Sequence, residues 1–133
     1  MKETITIQQH LDLKTSEVNF RSDGIVNLHI KANKSLTRED TVKMIEYIGE
    51  IGEGKKFLIL ITTGEFSLVD KEAREFGATE AGNRYTLAAA IVVKSLAQKL
   101  LGNAYIKVNK PSAPNKLFTD QQKAIDWLGT ILK

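Results

Sequence analysis

The chain has no cysteine, which removes disulfides, thiolate metal sites and a cysteine nucleophile together. That absence suits a reducing compartment. Histidine is nearly as scarce. His10 and His29 are the only two, and neither has a partner at the spacing of a metal-ligand pair or a Ser-His-Asp triad. Both are expected at the surface, His29 on the polar side of a strand. Long hydrophobic runs are missing as well. The longest, Leu87 to Val93, is much too short to cross a bilayer. Met1 to Gln9 alternates polar and apolar residues, without the apolar stretch of a secretory signal. A cytoplasmic location without membrane insertion is the expectation. Charge is close to balanced, with 19 basic and 16 acidic residues and a formal +3. The basic excess collects late, at Lys94, Lys99, Lys107, Lys110, Lys116, Lys123 and Lys133, with no arginine among them. Arginine is the usual reader of base edges, so this pattern is a solvated lysine face and no nucleic-acid partner is expected.

What is present is enough for a packed core. A chain of 133 residues with 42% apolar content can bury roughly 65–70% of its unfolded surface, and residues 1–133 read as one domain. Glu17 to Arg21 and Ile25 to Lys31 alternate apolar and polar residues as two strands. Between them Asp23-Gly24 supplies the positive φ of a tight hairpin turn. Residues 1–16 read as an additional edge strand or a loosely packed arm, because Ile5, Ile7, Leu11 and Leu13 recur at spacing two. Thr37 reads as the N-cap of a helix with Arg38-Glu39-Asp40 in its first turn and Gly52 and Gly54 at its end. Phe57 to Ile61 and Leu87 to Val93 are unbroken apolar runs, the pattern of strands covered on both faces. A second helix is expected from about Asp70 to Ala81. Ser95 opens a capping box with Gln98 for a short helix ending at Gly102-Asn103. Tyr105 to Val108 reads as the last strand, and Asn109 to Lys116 as a loop holding Pro111 and Pro114. Thr119 to Gln122 reads as another capping box, opening a final amphipathic helix on Ala124, Ile125, Leu128 and Ile131 or Leu132. The order implies an α/β fold with an N-terminal β-hairpin, then alternating α and β, in a mixed, mostly parallel sheet flanked by helices.

Three patterns invite a chemical reading. Gly49 to Lys56 has the G-x-x-x-x-G-K spacing of a phosphate-binding loop, but Lys56 stands where a Ser or Thr would hold magnesium. The string also closes a helix instead of opening one, so the negative helix end faces the glycines. Glu65, Asp70, Glu72, Glu75 and Glu80 crowd the second helix, but Lys71 and Arg74 interleave with them as on an ordinary solvated face. Trp127 suits packing beside Leu128. The more informative location lies beyond the carboxyl ends of the parallel strands, where open α/β sheets bind ligands. Thr62, Thr63, Ser67, Lys94 and Ser95 fall there, rich in hydroxyls and close to helix starts; Ser67 and Ser95 also read as helix caps.

The opening hairpin at Asp23-Gly24, the buried run Phe57-Leu58-Ile59-Leu60-Ile61 and the entry Val69-Asp70-Lys71-Glu72-Ala73 form a familiar set. With them go Lys116-Leu117-Phe118-Thr119-Asp120 and Ala124-Ile125-Asp126-Trp127-Leu128. Over residues 17–132 the chain resembles the STAS-like domains, the fold of bacterial anti-sigma-factor antagonists, and most of all a small uncharacterised bacterial branch of them. Wider relatives of that fold include the CRAL-TRIO lipid carriers. The resemblance implies a STAS-like fold and a non-enzymatic regulatory or protein-interaction module. In the regulatory members a serine in an Asp-Ser-Ser/Thr-Gly string is phosphorylated. Here that place reads Phe66-Ser67-Leu68-Val69-Asp70, so Ser67 alone can stand for the phosphoacceptor. The partner implied is an unidentified protein, with a small molecule or lipid as the alternative and a homodimer as a further form. No cofactor or metal is expected.

Overall fold

Asp23 and Gly24 turn the chain in the computed structural model, with φ of 86° at Gly24 and its amide donating to the Arg21 carbonyl at 3.1 Å. The structure describes residues 4–131. The expected place of Leu132 in the last helix, that of Lys133 in the lysine face and the first residues of the arm lie outside the described residues. The turn joins β2 (Ser16–Arg21) to β3 (Ile25–Ile30). The preceding segment is an edge strand, β1 (Ile7–Asp12), antiparallel to β2.

Thr37 caps α1 (Arg38–Ile51) as expected, accepting from the Asp40 amide while the Asp40 carboxylate accepts from the Thr37 amide. The helix leaves through Glu53 and Gly54, both at positive φ, whereas Gly52 stays at −83°. The glycine stop thus falls where expected, with Gly52 as the C-cap and Gly54 supplying the left-handed conformation. β5 (Phe57–Thr63) and β7 (Thr86–Val92) are central parallel strands. The six-stranded sheet runs β1-β2-β3-β5-β7-β8, antiparallel across β1 to β3 and parallel from β3 to β8. A short parallel pair, β4 (Ser35–Leu36) with β6 (Leu68–Val69), lies outside it.

Several boundaries differ from those expected from the sequence. α2 (Lys71–Ala78) ends before Ala81 because the Thr79 hydroxyl donates to the Phe76 carbonyl and Asn83 Nδ2 donates to the carbonyls of Gly77 and Thr79. Those side chains take over carbonyls that a further turn would use. Tyr105 to Val108 is not a strand. α3 (Leu96–Ala104) runs through Gly102-Asn103 into a π-helical turn, Tyr105–Asn109. The turn ends at Lys110, left-handed with φ of 52°, next to Pro111, which disfavours a helical residue before it. The last strand is β8 (Asn115–Phe118) instead, inside the segment read as a loop. Asp120, not Thr119, accepts from the Lys123 amide to open α4 (Gln121–Ile131).

The sheet separates two apolar layers. On one face Val18, Phe20, Val26, Ile30 and Ile59 meet Met44 and Ile48 of α1. On the other, Leu58, Leu60, Ala88 and Ala90 meet Ala124 and Leu128 of α4. Trp127 joins this second layer, tilted against Phe118. No helix among the described residues is long and apolar enough to cross a membrane.

Candidate functional site

The carboxyl ends of β5 and β7 come together around one side chain, Gln98. Its Oε1 accepts from the Lys94 amide at 2.8 Å and from Thr63 Oγ1 at 3.1 Å. Its Nε2 faces the carbonyls of Gly64 and Ser67 at 3.1 Å each and Ser67 Oγ at 3.2 Å. Thr63 Oγ1 also reaches the Val92 carbonyl at 2.8 Å. The Ser95 hydroxyl accepts from the Gln98 amide at 3.1 Å. That is the first half of the expected capping box; the returning bond goes to Lys94 instead.

Of the residues named from sequence, Thr63, Ser67, Ser95 and the backbone of Lys94 thus converge on Gln98, while the Lys94 residue is otherwise exposed. Thr62 belongs to the opposite face, where its hydroxyl meets Asn27 Nδ2 and His29 Nδ1. His29 is accordingly half-buried in a polar network, not simply exposed. Ser67 does not cap α2. Asp70 holds the N-cap position, and Ser67 is 1% exposed, its hydroxyl enclosed by Gln98. Phe66 beside it has φ of 59° and stands out into solvent.

From sequence alone Gln98 is only a capping partner of Ser95. Its signal was a stripe: Gln98, Leu101, Gly102 and Tyr105 follow helical spacing, and these residues turn inward while Leu96 and Leu100 are exposed. Gly102 admits Leu117, since a Cβ there would lie 2.5 Å from Leu117 Cδ1.

Beneath that stripe is a cavity of about 160 Å³. Ile59, Ile61, Ala89 and Ile91 line its floor, and Met44, Ile45 and Ile48 of α1 one wall. Ala73 and Gly77 of α2 complete it with the α3 stripe. Tyr105 closes one corner, its hydroxyl against Gly77, and burial pushes that phenol up to about 12. Every buried side-chain nitrogen and oxygen among the described residues already has a hydrogen-bond partner. Around Gln98 the polar atoms bordering the cavity, those of Thr63 and Ser67, are bonded to it.

The glycine string that resembles a phosphate loop has other uses. Gly49 lies within α1, where an added Cβ would meet the Tyr85 ring at 2.4 Å. Gly54 supplies the positive φ of the exit.

No curated protein matches the chain. Among solved structures, an uncharacterised protein of the DUF3478 family from Shewanella loihica PV-4, described as having a SpoIIAA-like fold, is similar to it. The TM-score is 0.56 at 19% identity, over 96% of this chain and 98% of that one. This likeness establishes the STAS-like, SpoIIAA-like fold. The model of the family described as Domain of unknown function (DUF7793) matches residues 19–132, and the chain belongs to that family.

Proposed function

We propose that the domain binds a small, predominantly apolar molecule in the cavity between the sheet and α1, α2 and α3. The observation that carries this reading is the void itself, apolar on its floor and bordered at Gln98 by polar atoms that are already paired. A cavity near 150 Å³ lined by aliphatic side chains stays dry and takes up benzene, so about 160 Å³ suits a ligand of one or two rings or a short acyl chain. At the Gln98 end a strongly polar ligand would have to break existing hydrogen bonds to be recognised, so it is disfavoured there.

The test uses benzene, indole and hexanol as probes. Binding to the native state alone raises the melting temperature with dose. At least one probe should do so in the wild type. Ala89→Val, which extends a side chain into the void, should abolish that rise while retaining the folded spectrum. No rise with any probe, or an equal rise in the variant, would overturn the reading.

A second reading, a regulatory protein-interaction module, is favoured by a separate observation. Phe66, Leu68, Leu96, Leu100 and Val108 are all exposed, and they belong to the segments that follow the carboxyl ends of β5 and β7. Adjoining exposed apolar side chains favour an interface, and Leu96 and Leu100 lie one turn apart on α3. Phosphorylation of Ser67 within this reading requires the 65–68 loop to open first, because its hydroxyl is enclosed. Pull-downs with wild type and Leu96→Glu/Leu100→Glu test it; identical partner profiles would sink it.

A further inference from the structure

The face of the sheet that α4 occupies over β5, β7 and β8 continues across β1 to β3 as a polar surface. There the antiparallel register sets Asp12 opposite Glu17 and His10 opposite Asn19. His10, Asp12 and Glu17 each offer one ligand atom, and these atoms lie within 4.8 Å of one another. His10 Nε2 is 3.8 Å from Glu17 Oε2. Bonds of about 2.0–2.2 Å from nitrogen and oxygen to zinc place two ligand atoms at most about 4.4 Å apart. Small rotations of these side chains therefore close the set around one ion.

A second observation fixes the state of the histidine. The Leu60 carbonyl can only accept, and it receives Asn27 Nδ2 at 3.0 Å. Asn27 Oδ1 is thereby an acceptor and takes Asn19 Nδ2 at 3.1 Å. Asn19 Oδ1 is then left as an acceptor, 2.6 Å from His10 Nδ1, which must donate. In neutral His10 the lone pair accordingly lies on Nε2, the nitrogen beside Glu17. An imidazole that donates one N–H to a carbonyl oxygen and presents the other nitrogen is the arrangement of a metal-ligating histidine with its supporting partner.

We propose that His10, Asp12 and Glu17 form a binding site for a divalent first-row transition metal that clamps the edge strand β1 to β2. One imidazole and two carboxylates suit zinc and its neighbours better than calcium or magnesium, which take oxygen ligands alone. Asn19 is a positioning residue. Lys31 opposes the ion: its Nζ lies 2.6 Å from Asp12 Oδ1 and 2.7 Å from the Leu13 carbonyl, leaving Asp12 Oδ2 for the metal and placing a cation beside it.

The test is calorimetric titration of zinc into the tag-free full chain, with circular dichroism of each variant to confirm folding. One ion per chain should bind saturably. His10→Ala should weaken binding by at least about tenfold, and Asn19→Leu by about tenfold or more through loss of the supporting hydrogen bond. Lys31→Met should tighten it severalfold by removing the competing charge, a direction that general damage to the sheet does not produce. Amides of β1 should exchange more slowly with zinc bound. Absence of saturable binding at about 1 mM zinc, a free energy near −4 kcal/mol, would overturn the site, as would unchanged affinity in His10→Ala. Failure here leaves the cavity reading standing, since no residue is shared.

Discussion

Thr62 and Thr63 are neighbours on β5, and because strand side chains alternate they serve opposite faces. Thr62 anchors the amide network of Asn27 and His29. Thr63 anchors Gln98. Among the described residues Gln98 in turn is the one polar side chain that fastens α3 to the 64–67 loop, so its loss has a definite cost. In Gln98→Leu the carbonyls of Gly64 and Ser67 lose a donor and the Lys94 amide loses an acceptor. An unsatisfied buried group costs about 1–3 kcal/mol, and local relaxation relieves part of the sum. The expected destabilisation is about 2–4 kcal/mol by urea unfolding. A loss below about 1 kcal/mol would show that water replaces the side chain and that the cluster is not closed.

Among the elements, α1 shows how a cap reaches beyond its own helix. The Asp40 carboxylate accepts from the Thr37 amide and also from Thr15 Oγ1 at 2.6 Å, tying the helix start to the turn between β1 and β2. Burial pushes this carboxyl up, but the bonds from Thr15 and Thr37 outweigh it, and the net shift is downward from 3.8. With a folded value below the unfolded one, its contribution is complete above the unfolded value near 4 and is lost as pH falls through the folded value. Asp40→Asn should therefore cost about 1 kcal/mol at neutral pH, as cap losses do, and should narrow the gap to wild type below about pH 4. A gap unchanged from pH 7 to pH 3 would refute the assignment. The cap itself was legible in sequence, as were the hairpin and both central strands, because Thr37, Asp23-Gly24 and the two apolar runs act through local chemistry. The end of the chain was not. Tyr105-Ile106-Lys107-Val108 alternates like a strand, but Tyr105 is the inward residue of a helical stripe beginning at Gln98. Gly102, which reads as a stop, is there for the approach of Leu117. Long-range packing decides that segment. The Gln98 cluster was hidden similarly, since its residues were named singly and only the fold joins positions 63, 67 and 98.

At the scale of the molecule, the layers around the cavity are not equally secure. β5 lies between β3 and β7, and β7 between β5 and β8, so their amides are bonded within the sheet interior. The other side of the void is α3 and the π-helical turn, in which Gln98 is the one buried side chain and is polar. Few buried apolar contacts mean a low free energy of local opening, so this segment is the natural route into the cavity. Tyr105 is its pH-sensitive contact. Its folded value is raised by burial to about 12, so the stability it lends is complete below the unfolded value near 10 and is lost as pH rises through about 12. Under native conditions the amides of Leu101, Gly102 and Tyr105 should exchange at least about tenfold faster than those of Leu60 and Ala90, as expected for a sub-global opening. A saturating apolar probe should slow the first group and leave the second nearly unchanged, because only the closed form retains the ligand. Between pH 10 and 12 at low temperature, loss of α3 ellipticity should be smaller in Tyr105→Phe than in wild type. Equal protection of α3 and the central strands, with or without probe, would mean that the helix does not open separately and that the cavity has no entrance on that side.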